Sequence, residues 1–107
     1  MSYSKYRSKK TYVGEKKFDS QKEANRYVEL LLMERGNYIQ DLKTQVRFPL
    51  IAKSKYGREI VYVCDFAYYE NGKLVVEDAK SPVTKTPLYR LKKRLMAEKY
   101  DIVIKEV

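Results

Sequence analysis

The stretch Val63-Cys64-Asp65-Phe66-Ala67-Tyr68-Tyr69-Glu70, Asn71-Gly72, Lys73-Leu74-Val75-Val76-Glu77-Asp78-Ala79-Lys80 decides the fold of this chain. Two runs rich in β-branched and aromatic residues flank Asn-Gly, the strongest short-range signal for a tight β-hairpin. A two-residue turn there fixes the register: Glu70 faces Lys73, Tyr69 faces Leu74, and Asp65 lands opposite Asp78. Directly paired residues have Cβ atoms roughly 4.5–5.5 Å apart. Side chains alternate along a strand, so Lys80 shares a face with Asp78, and Glu77 takes the other face. Two acids and a lysine thus converge on one patch of sheet. Opposed like charges destabilise a sheet, and a divalent cation offsets them.

Composition narrows the chemistry. At 107 residues the chain has room for one domain with a modest core. Its 44% hydrophobic content, with few Pro and Gly, argues for a folded globule. No apolar run approaches the roughly 20 residues that cross a bilayer, and the N-terminus lacks a signal peptide's apolar core. The expected location is the cytoplasm. With no histidine and one cysteine, Cys64, the chain has no histidine triad, no tetrahedral zinc set and no internal disulfide. A metal would rest on oxygen donors, which suits magnesium, or manganese in its place. The net charge of +9, from 23 Lys and Arg against 14 Asp and Glu, points to a polyanionic partner, DNA foremost.

Along the chain, residues 1–17 read as a basic flexible arm, ending in a short extended stretch, with residues 18–107 as the single domain. Lys5, Arg7, Lys9, Lys10, Lys16 and Lys17, interleaved with tyrosines, are candidate phosphate contacts. Ser20-Gln21-Lys22-Glu23 fits a capping box, and Gly36 a stop, for a helix over 20–35. Its apolar face is Ala24, Tyr27, Val28, Leu31 and Leu32, with Glu23 on the border and Glu29 pointing to solvent. Residues 44–51 read as a strand, with Pro49 marking an edge or bulge, and 53–58 as a basic turn. Residues 59–69 and 73–80 are the hairpin strands. The first is apolar on both faces, Ile60, Tyr62 and Phe66 against Val61, Val63 and Ala67, so it is central in the sheet. Thr86-Pro87 caps a second helix over 87–99, with Leu88, Leu91, Leu95 and Met96 toward the core. Arg90, Lys93 and Arg94 on its other faces are further candidate DNA contacts. A last strand over 101–107 closes the sheet.

The order helix, three strands, helix, strand resembles the core of the PD-(D/E)xK nuclease superfamily, most closely its small phage-borne and Holliday-junction-resolvase-like members. Cys64-Asp65 matches the Pro-Asp position, Asp78-Ala79-Lys80 matches (D/E)xK, and Glu23 matches the helical acid of many members. Cys64 stands where proline is usual, and Asp78 where Glu is commoner. The resemblance implies an α/β (α+β) fold with a restriction-endonuclease-like core: a mixed sheet of about four strands flanked by two helices, in the order αβββαβ.

The implied activity is magnesium-dependent hydrolysis of DNA phosphodiesters, selective for branched DNA in phage recombination or replication. Glu23, Asp65, Asp78 and Lys80 are the catalytic set. Asp65, Asp78, the Ala79 carbonyl and Glu23, directly or through water, hold the metal, and Gln45 positions water or a phosphate oxygen. Cutting two strands symmetrically calls for a homodimer. Each residue also has a plain structural use: Glu23 as a cap, Lys80 as a neutraliser of paired aspartates. Two other readings fit the same residues: a non-catalytic DNA-binding or recombination accessory module, and a nuclease subunit of a transposition or restriction system. Membrane-surface binding by the basic helix fits least, because the core needs its apolar face. No small-molecule cofactor is implied.

Overall fold

A computed structural model describes residues 10–80 and 85–107. Lys5, Arg7 and Lys9, and most of the loop before the second helix, lie outside the described residues. The element order is β1 (Thr11–Val13), β2 (Lys16–Phe18), α1 (Gln21–Arg35), β3 (Gln40–Thr44), β4 (Arg47–Ile51), β5 (Ile60–Val63), β6 (Phe66–Glu70), β7 (Lys73–Asp78), α2 (Pro87–Tyr100) and β8 (Lys105–Glu106). The protein is a small mixed α+β fold. Its main sheet has four strands in the order β3-β6-β7-β8, antiparallel except for the β7–β8 pair.

The Asn-Gly turn sets the sheet as the sequence dictates. Asn71 and Gly72 both take positive φ, 53° and 77°, as a two-residue turn of the primed kind requires. Pairing then runs Glu70↔Lys73, Tyr69↔Leu74, Tyr68↔Val75, Ala67↔Val76 and Phe66↔Glu77. Both helices begin at the sequence-defined caps: the Ser20 hydroxyl accepts from the Glu23 N–H, and the Thr86 hydroxyl from the Tyr89 N–H.

Two expected strands differ. The strand expected over 44–51 starts only at Arg47, as β4, and a further strand, β3, precedes it and ends at Thr44, with Gln45 between them at φ 54°. In place of one strand over 59–69 the chain makes β5 and β6, interrupted at Cys64-Asp65. The pairing nevertheless continues through the interruption. Thr44 faces Phe66 and Arg47 faces Val63; between them Gln45 N donates to Asp65 O (3.1 Å) and Cys64 N to Val46 O (3.0 Å). These strands therefore form one long hairpin, bent at Gln45 and Asp65, with β4 and β5 leaving the main sheet as a separate two-stranded arm. The bend also shifts the alternation. Tyr62 and Cys64 pack with α2 residues Tyr89 and Met96, whereas Phe66 packs with α1 residues Ala24 and Leu30. Tyr62 and Phe66 thus lie on opposite sides, not on the common face expected of an unbroken strand. Pro49 sits where the β4–β5 register shifts, as a proline that cannot donate to the ladder should.

The N-terminal reading is corrected as well. Residues 11–18 are a β-hairpin, not an arm: Gly14 turns it at φ 59°, Phe18 is buried and Val13 packs beside it against α1. The helical faces are rotated from expectation. On α1 the buried residues are Glu23, Ala24 and Leu30, while Val28 and Leu32 are exposed; Tyr27 packs against Phe18 and stacks on Phe66. On α2 Tyr89 and Met96 are buried, and Leu88 and Leu91 are exposed. Tyr89, anchored by its hydroxyl to Glu106 (2.7 Å), takes the inward position. No helix among the described residues is long and apolar enough to cross a membrane.

Candidate functional site

The break at Asp65 is where the charged residues collect. Asp65 is tied to both neighbouring strands: its C=O accepts from Gln45 N, and its N–H donates to Glu77 O (3.2 Å). Its side chain accepts the Ala79 N–H at Oδ2 (2.8 Å). This keeps Asp65 across from Asp78, at the end of β7. The Asp78 carboxylate is buried, accepts the Tyr62 hydroxyl at Oδ2 (2.7 Å) and lies 3.8 Å from Lys80 Nζ. Burial, followed by a hydrogen bond with Asp78, pushes the Asp65 carboxyl up to about 8, against the opposing pull of the Ala79 N–H. Two facing carboxyls disfavour simultaneous ionisation unless a proton or a cation lies between them.

Glu23 enters from the first turn of α1. Burial, then the charges of Asp19 and Asp78, raise its carboxyl above the ordinary range, and Lys80 opposes them. The Gln45 side-chain amide reaches Glu23 Oε2 at 3.5 Å. Glu23, Gln45, Asp65, Asp78 and Lys80 are thus neighbours. Among the described residues, however, no group of three or more acidic or cysteine side chains is arranged to hold a metal ion. Of the expected ligand set, Asp65 and Asp78 are the close pair, and Glu23 is not closed onto them. The pair's oxygen donors are of the kind a hard divalent cation takes.

Glu77 belongs elsewhere. It is fully buried on the α1 side, where Arg26 meets it with a two-pronged ion pair (2.8 and 2.6 Å) and the Tyr68 hydroxyl donates to it. Asp78, not Glu77, shares a side with Lys80. Cys64 is buried in the α2-side core, its thiol pushed up to about 11 by burial, so it is a packing residue.

Four contributors had no clear signal in the sequence. The Lys80 ammonium sits over the Tyr89 ring, 4.6 Å from its centroid. Glu106 receives the Tyr89 hydroxyl and is held by Lys85 (3.1 Å) and Lys93 (3.3 Å). Tyr62 holds Asp78, and Lys22 Nζ donates to the Lys80 carbonyl (2.8 Å). Lys22 was nearest to legible, being next to Glu23 on a capped turn. Tyr62 and Tyr89 depend on tertiary contacts that periodicity does not encode.

The expected DNA contacts divide. Lys16 and Lys17 line a cleft of about 360 Å³ beside Glu23, Thr44 and Gln45, and Lys16 Nζ donates to the Thr44 hydroxyl (3.3 Å). Lys10 is paired with Asp19 (3.1 Å), Lys93 with Glu106 and Arg94 with Glu98 (3.5 Å). Arg90 is exposed.

Fold and site together define a small α+β protein with a paired-carboxylate and lysine centre at a strand break. The profile of the DUF1064 family, described as a protein of unknown function, matches residues 3–106, and the chain belongs to that family. No curated protein and no solved structure matches it.

Proposed function

We propose that this protein is a metal-dependent endonuclease that hydrolyses DNA phosphodiesters, with a restriction-endonuclease-like core of the PD-(D/E)xK kind. The observation that carries the reading is the Asp65–Asp78 pair. Two carboxyls are held face to face by backbone pairing, one raised to about 8, with Lys80 3.8 Å from the other. A sheet keeps so unfavourable a pair where chemistry uses it. Asp65 and Asp78 would hold magnesium, or manganese in its place, which supplies an acidified water and a positive charge toward the phosphate.

The remaining steps fall to the chain's own groups. Lys80 orients the attacking water and accepts or screens charge as the bond to phosphorus forms. The Tyr62 hydroxyl fixes the Asp78 carboxylate, so one oxygen keeps a constant direction. Glu23 and Gln45 stand back from the aspartates and act through water, orienting it or a phosphate oxygen. Lys16 and Lys17, with the basic surface, attract the polyanion. Branched DNA in phage recombination is the substrate class we favour. A homodimer would place two such centres on opposed strands.

The test is a cleavage panel of junction, flap, duplex and single-strand DNA, with magnesium or chelator. Asp65→Ala, Asp78→Ala and Lys80→Ala should each abolish magnesium-dependent cleavage while DNA binding persists. Binding unaffected by magnesium, with no nicking of any substrate, would favour a non-catalytic recombination module instead.

A further inference from the structure

We infer that the groove running from Asp78 and Lys80 between α2 and β5 receives an unpaired nucleotide of the strand being cut, so the substrate is splayed beside the reacting phosphate. The inference rests on the phosphodiester reading above.

Two clefts flank the carboxylate pair, and their chemistry differs. The one beside Glu23 is polar, bordered by Lys16, Lys17, Thr44 and Gln45. The other begins at Asp78 and Lys80 as a space of about 250 Å³ and continues into one of about 530 Å³ ending at Arg47. Val61, Val63, Leu88 and Lys92 line both parts, so the two are one groove. Its floor is aliphatic and open to solvent: Val63 is 39% and Leu88 55% exposed. Its rim carries cations: Lys80 at the site, Lys92 midway and Arg47 at the far end, the last paired with Glu59 at 3.7 Å.

That exposure is a consequence of the fold. The rotation of α2 that buries Tyr89 turns Leu88 out, and Lys92 follows one turn later on the same face. The bend at Asp65 swings β5 out of the main sheet and presents Val61 and Val63 alongside Leu88. Intact duplex offers a protein its phosphates and groove edges, and the faces of its bases are stacked away. Unpaired nucleotides offer both base face and phosphate, and proteins meet them with aromatic or apolar side chains against the base, beside cations. The groove combines those two features and opens onto the reacting site. The Glu23-side cleft has only the cationic half, which fits backbone passing through.

The experiment measures binding without cleavage. Full-length protein in chelator is titrated, by fluorescence anisotropy, into an oligothymidylate and into a blunt duplex of equal length. Leu88→Asp should weaken oligothymidylate binding by about tenfold, the loss of one base contact, and leave duplex binding unchanged. Leu88→Gln, a gentler change at an exposed position, should weaken it in the same direction, and circular dichroism confirms that both variants are folded. Equal losses on both probes, no loss on either, or no binding of oligothymidylate by the wild type would overturn the inference. In a separate assay with magnesium, failure of the wild type to cleave any substrate would count against the nuclease reading alone. Normal cleavage with unchanged Leu88 variants would count against the groove alone.

Discussion

Glu77 and Asp78 are neighbours on β7, yet their carboxylates serve opposite sides of the sheet. Glu77 lies fully buried against Arg26 and Tyr68, and Asp78 against Tyr62 and Lys80. One is a structural ion pair and the other a member of the proposed reacting pair. Removing Glu77 leaves the Arg26 guanidinium without its partner, so Glu77→Ala should lose about 3–5 kcal/mol in urea unfolding. The fraction that folds should bind manganese with wild-type affinity. A stable Glu77→Ala protein that has lost manganese binding would reverse the two roles.

Tyr89 holds Lys80 through its ring and holds Glu106 through its hydroxyl. Those two functions separate by mutation. Tyr89→Phe keeps the ring and should retain most of kcat. Tyr89→Leu removes the cation–π contact and should lower kcat by about tenfold, with a smaller change in KM. The pH profile of Tyr89→Leu should also shift, which a purely structural loss would not produce. Equal kcat values for the two variants would show that the ring does not position Lys80.

Glu106 gives a pH signature in stability. Its hydrogen bond from Tyr89, then those from Lys85 and Lys93, hold its carboxyl at about 2, below the ordinary 4.5. A carboxyl with a lowered folded-state value stabilises the protein fully above the ordinary value and stops doing so as pH falls through the folded one. Thermal melts should therefore decline between pH 4.5 and about 2. Glu106→Gln should have a lower Tm at neutral pH and a shallower decline, and added salt should narrow the difference. Parallel melting curves would contradict this.

Asp65 should show the opposite sign. Its carboxyl is raised from 3.8 to about 8, so the ionised form is the disfavoured one in the folded state. The cost is absent at acid pH and grows as pH rises toward that value. Without added divalent cation, Asp65→Asn should therefore be more stable than the wild type at neutral pH, on the order of 1–3 kcal/mol. The same variant should not cleave DNA. A less stable Asp65→Asn protein would mean that the aspartate is a structural group.

Much of this arrangement was legible in the sequence because it is local. Asn71-Gly72 fixes a register that carries Asp65 to Asp78, and Ser20 and Thr86 start both helices through their own hydroxyls. What was not legible depends on groups far apart in the chain. The break between β3 and β4 falls at Gln45, which takes a left-handed φ of 54°, a strained choice for that residue type that no local pattern marks. The inward turn of Tyr89 comes from Glu106, which lies 17 residues on. Counting apolar residues favoured Leu88 and Leu91 over a tyrosine whose hydroxyl is held by Glu106. The N-terminal hairpin was masked by its lysines, although Gly14 and the alternation of Val13 and Phe18 into the core were there to be read.

The most direct measurement is calorimetric titration of manganese into the wild-type protein and into Asp65→Asn and Asp78→Asn. Saturable binding to the wild type, lost in both variants while each remains folded, is the expected result. Absence of wild-type binding, or binding that survives both substitutions, would contradict the central claim that these two carboxylates share a cation.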